Sequence, residues 1–400
     1  MKIVFVAVLV PDTNYTRDLS VYFQKILKRN DTLYLCGRKG DKVLDNKLPK
    51  VNEIWRPGWK CFFDVIDYID KVKPDVIHLQ HEFKTYGGLL TALQFPFLLL
   101  LLRFKKYPVV VTMHGIVSPK QVDNEFLDNF NVKPNVISKY MVIGFFHYVY
   151  KLILLFSNRV TVHAPMLKEI LSSYLPIANN KIVVIDHGIR EIKNLNIKNR
   201  DKIIKQFPVV KGKDIILVFG HFSPRKGYEY LLETYKHVIE KKHLNNWLLA
   251  LVGDVQPEFA YYWNKITQLI HEYKLDDKVL MTGFVKDAEI DEFYRNAAIV
   301  LIPAIVSFNT SGSLSLALAY QKPLLVADVK PLGQEVAENN FGLLYEKKGA
   351  RSLEKQLEIL MTNKKLYESL ESHLKKSVQK RYWTTIAKEH YTLYQSLIVK

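Results

Sequence analysis

Four hundred residues are about two to three times the usual length of one domain, so at least two cores are expected. An apolar fraction of 48% beside 24% charged residues excludes disordered, collagenous and low-complexity chains. Lys and Arg number 57 against 40 Asp and Glu, a formal net charge of +17 spread over both halves, which points to an anionic partner: nucleic acid, anionic lipid or a phosphate-bearing substrate.

The opening apolar run, residues 2–10, has one Lys and no small-x-small cleavage site, so it is read as a buried first strand rather than a leader. Further strands are expected at 31–36, 74–80, 108–114, 159–164 and 181–187, with helices at 20–30, 62–72, 89–104 and 136–156. Continuous apolar strands separated by helices indicate parallel strands covered on both faces. The helices at 89–104 and 136–156 are read as packing on their own sheet. The alternative is that part of this surface, with Arg103, Lys105, Lys106 and Lys151 nearby, touches anionic lipid. A membrane crossing needs about 20 apolar residues. Residues 89–102 fall short and contain Thr91, Gln94 and Pro96, so no crossing is expected. The basic stretch from Arg190 to Asp214 is read as a linker. Beyond it the scheme repeats, with strands at 214–220, 247–253, 278–284, 298–304 and 323–328 and helices at 227–242, 261–273, 288–297 and 311–321. From Leu353 onward the pattern is helical and closes with an amphipathic helix at 382–397. The expected fold class is α/β, with two doubly wound parallel-sheet domains, residues 1–195 and 196–378, and a last helix at 379–400. Two cysteines, Cys36 and Cys61, are too few for a disulfide framework and fit a reducing cytosol.

Open parallel sheets bind ligands at the carboxyl ends of their strands, and the chemistry-bearing residues fall there. Gly220-His221-Phe222-Ser223-Pro224-Arg225-Lys226-Gly227 joins a strand to a helix, aiming amides and two cations at the strand end, where phosphate is the natural guest. It is not a Walker A loop, and a tight turn with solvated charges is the plain alternative. Asn309-Thr310-Ser311-Gly312-Ser313 opens another helix with free N–H groups, a phosphate site or an ordinary N-cap. Two such loops in one domain favour a shared diphosphate. His114, followed by Gly115, ends a central strand of the first domain, as a functional or a core histidine. His78, His81 and Glu82 are grouped in sequence, but an odd spacing on a strand sends side chains to opposite faces. No metal site is expected, and no Asp-x-Asp motif occurs.

With these residues placed, the sequence resembles the retaining glycosyltransferases of family 4, which have the GT-B fold. The resemblance runs through VVVTMHGI, VTVHAPMLKEIL, VVIDHGI, VFGHFSPRKGYEYLLETY, LALVGD, KVLMTGFVKDAEIDEFYRNAAIVLIPA and SGSLSLALAYQKPLLVAD, in that order over nearly the whole chain. It implies two Rossmann-like domains facing across a cleft, with the last helix returning to the first. The first domain would bind the acceptor and the second a nucleotide-sugar. Lys226 and Arg225 would hold the donor diphosphate within a loop bounded by Gly220, His221 and Gly227, and amides at Thr310, Ser311, Gly312, Ser313 and Leu314 would meet the phosphates. Gly253 and Asp254 would lie near the cleft, and Gly283, Phe284 and Val285 would border the base. His114 would sit at the reacting sugar, with Asn14, Tyr15 and Glu82 on the acceptor side. The implied activity is metal- and cofactor-free transfer from a nucleotide-diphosphate sugar to a glycan or lipid-linked acceptor, in the cytoplasm or at its membrane face, with no nucleic-acid partner. Two family glutamates are replaced by Phe308 and Leu316, the family's loop Arg by His221, and the glycine pair after the first strand by Asp12-Thr13-Asn14-Tyr15. Those departures keep a catalytically inactive GT-B partner protein open as the alternative.

Overall fold

The β-branched runs of the first half form β1 (Lys2–Val6), β2 (Thr32–Arg38), β3 (Val51–Trp55), β4 (Val76–His81), β5 (Val109–Met113), β6 (Arg159–Val162) and β7 (Ile182–Val184). All pair in parallel in the order β3-β2-β1-β4-β5-β6-β7, so the chain reverses its direction of travel between β1 and β4. The connecting helices are α1 (Asn14–Ile26), α2 (Cys61–Val72), α3 (Leu89–Phe104), α4 (Asn124–Asn129), α5 (Val136–Phe156) and α6 (Pro165–Tyr174). Ile3 to Val6 and Val109 to Val111 are buried on both faces of the sheet, which is why these strands read as unbroken apolar runs. β3 escaped the sequence reading because, as an edge strand, it mixes polar and apolar residues. Asn52 and Trp55 fix it, their side-chain N–H groups donating to the carbonyls of Leu35 and Cys36.

The second half forms β8 (Asp214–Phe219), β9 (Trp247–Val252), β10 (Val279–Met281), β11 (Ala297–Ile302), β12 (Leu324–Ala327) and β13 (Gly342–Tyr345) in the parallel order β10-β9-β8-β11-β12-β13. Its helices are α7 (Asp201–Gln206), α8 (Tyr228–Lys242), α9 (Ala260–Glu272), α10 (Asp287–Asn296), α11 (Gly312–Ala319), α12 (Leu332–Glu338), α13 (Ala350–Thr362) and α14 (Lys364–Ser377). α7 lies in the stretch read as a linker. Arg200 secures it by donating to the Lys213 carbonyl and the Asn296 side chain. The last helix is α15 (Trp383–Ile398). The computed structural model describes residues 1–9, 14–41, 48–82, 85–130, 132–195, 200–307 and 312–398. It divides into one unit of Met1–Gly188 with Lys380–Lys400 and another of Ile189–Gln379.

α15 completes the first unit. Trp383, Ile386, Ala387 and Tyr394 join Phe5, Leu19 and Phe23 in one buried cluster. Trp383 packs so tightly on Gly188 that a Cβ there would come within 2.3 Å of the indole ring. Beside it, the guanidinium of Arg381 lies 3.3 Å from Asp186. On the opposite face of the sheet α3 packs against α2 and α5. α5 has the length and composition of a membrane crossing, which the sequence reading did not single out. Yet it joins β5 to β6, strands paired in one sheet, and its Phe146, Val149, Tyr150, Ile153 and Leu154 are buried in the unit. A helix whose two flanking strands are neighbours cannot have its ends on opposite sides of a bilayer.

Candidate active site

In the second unit the switch point lies between β8 and β11, the place where open α/β sheets leave a crevice for ligands. β8 ends at Gly220, whose φ of +115° suits glycine, and a short 3-10 turn, Pro224–Lys226, leads to Gly227 (φ +58°) at the start of α8. The turn folds Lys226 back over the strand, so that its Nζ donates to the Phe219 carbonyl at 2.9 Å. Ser313 Oγ, from the first turn of α11, donates to the same carbonyl, also at 2.9 Å. Two loops far apart in sequence are thereby joined at one strand end. A Cβ on Gly220 would sit 3.0 Å from Lys226 Nζ and 3.6 Å from Ser313 Oγ. Gly253, at the end of β9 (φ +149°), leaves no room either, since its Cβ would come within 2.3 Å of the Gly220 carbonyl oxygen. The Ile305 amide donates to the Arg225 carbonyl at 2.8 Å and ties the loop after β11 to the same place.

Burial, reinforced by the neighbouring Arg225, brings the Lys226 ammonium down to about 7, while burial also lowers Arg225. No carboxylate pairs with Lys226 among the described residues. A partly desolvated cation beside a helix start, with a second cation adjacent, is an anion site by its electrostatics. Gly312 is exposed at the N-terminus of α11 with open space where a side chain would be. Leu314 points into the core, so it can offer only its backbone. Thr310 and Ser311, with Phe308, lie outside the described residues. His221 and Asp254 are exposed. The Asp254 carboxylate accepts from the Val255 amide, and its carbonyl accepts from Phe222. Gly283 (φ +68°), exposed Phe284 and buried Val285 follow β10, two strands or about 10 Å from β8. They form a separate patch rather than part of the Lys226 cluster.

In the first unit His114 is half-buried and both its ring nitrogens are engaged. Nδ1 lies 3.1 Å from His163 Nε2 and Nε2 lies 2.8 Å from the Gln80 amide. His163 Nδ1 donates to the Ile185 carbonyl, so its Nε2 accepts from His114. Burial, with His187 and His81 nearby, depresses His114 to about 3 and keeps it neutral. Its Nε2 must then accept, so the Gln80 amide, placed with Oε1 toward His114 and Nε2 toward His78, is assigned turned over, its NH2 to His114 and its oxygen to His78. His78 continues the chain to Thr112 and Tyr394. The sequence held a signal for this network that was not read: His78 and Gln80, Thr112 and His114, and Thr161 and His163 are polar pairs at spacing two on adjacent apolar strands, so each pair shares one face of the sheet. His81 faces the other way, against Phe95. Tyr15, expected on the acceptor side, instead lies in the core cluster. Its hydroxyl is 2.9 Å from His390 and its ring packs on His114, His163 and Trp383. Glu82 is exposed at the end of β4, and the side chain of Asn14 lies outside the described residues.

Residues 13–191 match the Glycosyltransferase Family 4 family and residues 199–377 the Glycosyl transferases group 1 family. An uncharacterized glycosyltransferase of Methanocaldococcus jannaschii is 25% identical over 60% of this chain and 60% of its own length. The alpha-monoglucosyldiacylglycerol synthase of Streptococcus pneumoniae is 22% identical over 72% of this chain and 60% of its own. The chain thus spans 60% of the length of these curated relatives. Anabaena HepE, solved in complex with UDP and glucose, matches with a TM-score of 0.72 at 18% identity over 99% of this chain and 100% of its own. Sucrose-phosphate synthase from Thermosynechococcus elongatus gives 0.72 at 18% over 99% of each. These structural likenesses concern the fold, and they identify it as GT-B. With both halves matched in sequence order and each built on its own Rossmann-like sheet, the chain belongs to the family 4, group 1 glycosyltransferases.

Proposed function

We propose that the protein transfers a sugar from a nucleotide-diphosphate sugar to a glycan or lipid-linked acceptor, with retention at the anomeric carbon and without a metal ion. The observation that carries this reading is the convergence of Lys226 and Ser313 on the carbonyl that ends β8. As the bond from the sugar to the diphosphate breaks, negative charge grows on the leaving oxygen and positive charge on the anomeric carbon. Lys226, Arg225 and the amides opening α11 neutralise the former. The base rests toward Gly283 and Phe284, about 10 Å away. That HepE was solved with UDP makes a UDP-sugar the first donor to test. In the first unit, which receives the acceptor, His114 shapes the sugar site. Its nitrogens are engaged by Gln80 and His163, so it contributes a fixed ring edge rather than a titrating proton.

Thermal shift against UDP-, GDP- and ADP-sugars is the direct test, because a ligand at 100 times its dissociation constant adds about 2.7 kcal/mol of stability. One nucleotide series is expected to stabilise the protein, turnover is expected to survive EDTA, and NMR of the product is expected to show the donor's anomeric configuration. No stabilisation by any of them would overturn the reading. Binding without transfer or donor hydrolysis would establish the second reading, a non-catalytic GT-B partner, which Leu316 in the place of a family carboxylate favours.

A further inference from the structure

α3 and α5 lie side by side on the outer face of the first unit, pinned at their C-terminal ends by Arg103, whose Nη1 donates to the Leu155 carbonyl at 2.9 Å. Their inward residues fill the core, but their outward residues are apolar as well. Phe97, Leu101 and Phe104 of α3 and Ile137, Tyr140 and Met141 of α5 are each between 41% and 74% exposed. Leu101 and Phe104 lie four and seven residues beyond Phe97, and Tyr140 and Met141 three and four beyond Ile137, so each helix turns one continuous stripe outward. Neither helix contains an Asp or Glu. The charges between and beside the stripes are cationic: Lys139 and Lys151 on α5, and Arg103 and Lys106 at the end of α3, all exposed. At that end Lys181 and Arg159 add to the crowd. Lys181 is held by the carbonyls of Leu154, Leu155 and Ser157, and burial together with Arg103 and Arg159 lowers its affinity for a proton.

Large apolar side chains exposed on two neighbouring helices mark an interaction surface rather than singly scattered surface residues. The charge carried by the two helices themselves is all cationic, and Asp70 of α2, beside them, is paired with Lys105 at 2.8 Å. An apolar strip interleaved with an excess of cations complements a surface that is greasy a few ångströms down and negatively charged on top. We propose that the α3–α5 face docks onto an anionic lipid bilayer, lying in the headgroup region with its aromatic and aliphatic tips in the acyl boundary. The helices lie on the membrane and do not cross it, because β5 and β6 pair on either side of α5.

Co-sedimentation of the full chain with phosphatidylcholine vesicles, with and without 40% phosphatidylglycerol, tests this at low and high salt. Binding is expected to anionic vesicles and to weaken with salt. Lys139→Gln with Lys151→Gln removes two cations, which at about 1 kcal/mol each corresponds to roughly thirtyfold weaker partitioning. Ile137→Ser, Tyr140→Ser and Met141→Ser together are expected to abolish sedimentation. All five side chains are exposed, so both variants should keep the parent's melting temperature and its response to nucleotide-sugars, which separates this test from that of the donor site. Three results would overturn the proposal: a parent chain that stays in the supernatant with anionic vesicles at low salt, serine variants that sediment as well as the parent, or a dimer in sedimentation velocity that those variants dissolve, which would make the face a contact between two copies.

Discussion

Lys226→Met should stabilise the protein and disable it at once. In the folded chain the ammonium has fallen from 10.5 to about 7, chiefly through burial and secondarily through Arg225. The folded state therefore disfavours the charged form, and between those two pH values the unfolded chain binds the extra proton. Stability then rises with pH from about 7 to 10.5, and the full penalty is felt below 7. Solvent reaches the half-buried side chain. Counting only half the displacement, at about 1.4 kcal/mol per pH unit, leaves a penalty of about 2 kcal/mol. Replacing the ammonium with a thioether of similar length removes that penalty at the loss of one hydrogen bond, to the Phe219 carbonyl. At pH 6 the melting transition of the second unit should rise by about 5 °C, at roughly 2–4 °C per kcal/mol, and the advantage should vanish by pH 10. The same substitution removes a charged donor worth about 1.5–3 kcal/mol to a diphosphate, so donor affinity should fall about ten- to 150-fold. Calorimetric scans from pH 6 to 10, with and without the nucleotide-sugar identified by thermal shift, read both effects. A variant that melts lower than its parent at pH 6 and still binds the donor equally well would refute the reasoning.

Other consequences follow the same physics. Gly253→Ala drives a Cβ to within 2.3 Å of the Gly220 carbonyl at a backbone angle that disfavours side chains. It should cost at least 2 kcal/mol in urea unfolding and weaken donor binding by displacing the loop that carries Lys226. Leu316→Glu, which restores a carboxylate where the family has one, should raise donor affinity in titration calorimetry without lowering the melting temperature by more than a few degrees. Gln80→Leu leaves the Nε2 of His114 unpartnered, at about 1–3 kcal/mol, and should shift the imidazole nitrogen resonances of His114 and His163, which simple loss of packing would not do. Acid should unfold the first unit first. His81, His114, His187 and His390 are held neutral at about 4, 3, 4 and 3 by burial. Since the unfolded chain takes up their protons below about 6.5, stability is lost as pH falls from there, by about 2–3 kcal/mol per histidine near pH 4.5. A first unit still folded at pH 4, by fluorescence of Trp383, would contradict the network.

What could be read without coordinates was whatever leaves a local trace. Strands buried on both faces appear as apolar runs, and the glycine-bounded Lys226 loop and the Ser313 helix start are punctuated by their own turn chemistry. Edge strands gave way first: β3 is half polar because it has one neighbour, and β13 (Gly342–Tyr345) is short and begins with a glycine that approaches Leu324. The placement of Tyr15 was misjudged because its burial depends on α15, more than 350 residues away along the chain. The outward apolar stripe of α5 was hidden for a different reason. A helix that is apolar all round shows no periodicity, so its composition could not tell which residues the sheet would cover and which it would leave in water.

The return of α15 has a consequence for the order of events on the ribosome. The amino-terminal sheet emerges first, but its centre lacks Trp383, Ile386 and Tyr394 until about 190 further residues have been made. Residues 189–379, by contrast, form one uninterrupted segment and can mature as soon as they clear the exit tunnel. The nascent chain is therefore expected to complete its middle portion before its beginning. Until Trp383 to Tyr394 have been made, the groove awaiting α15 is an apolar surface that chaperones would bind.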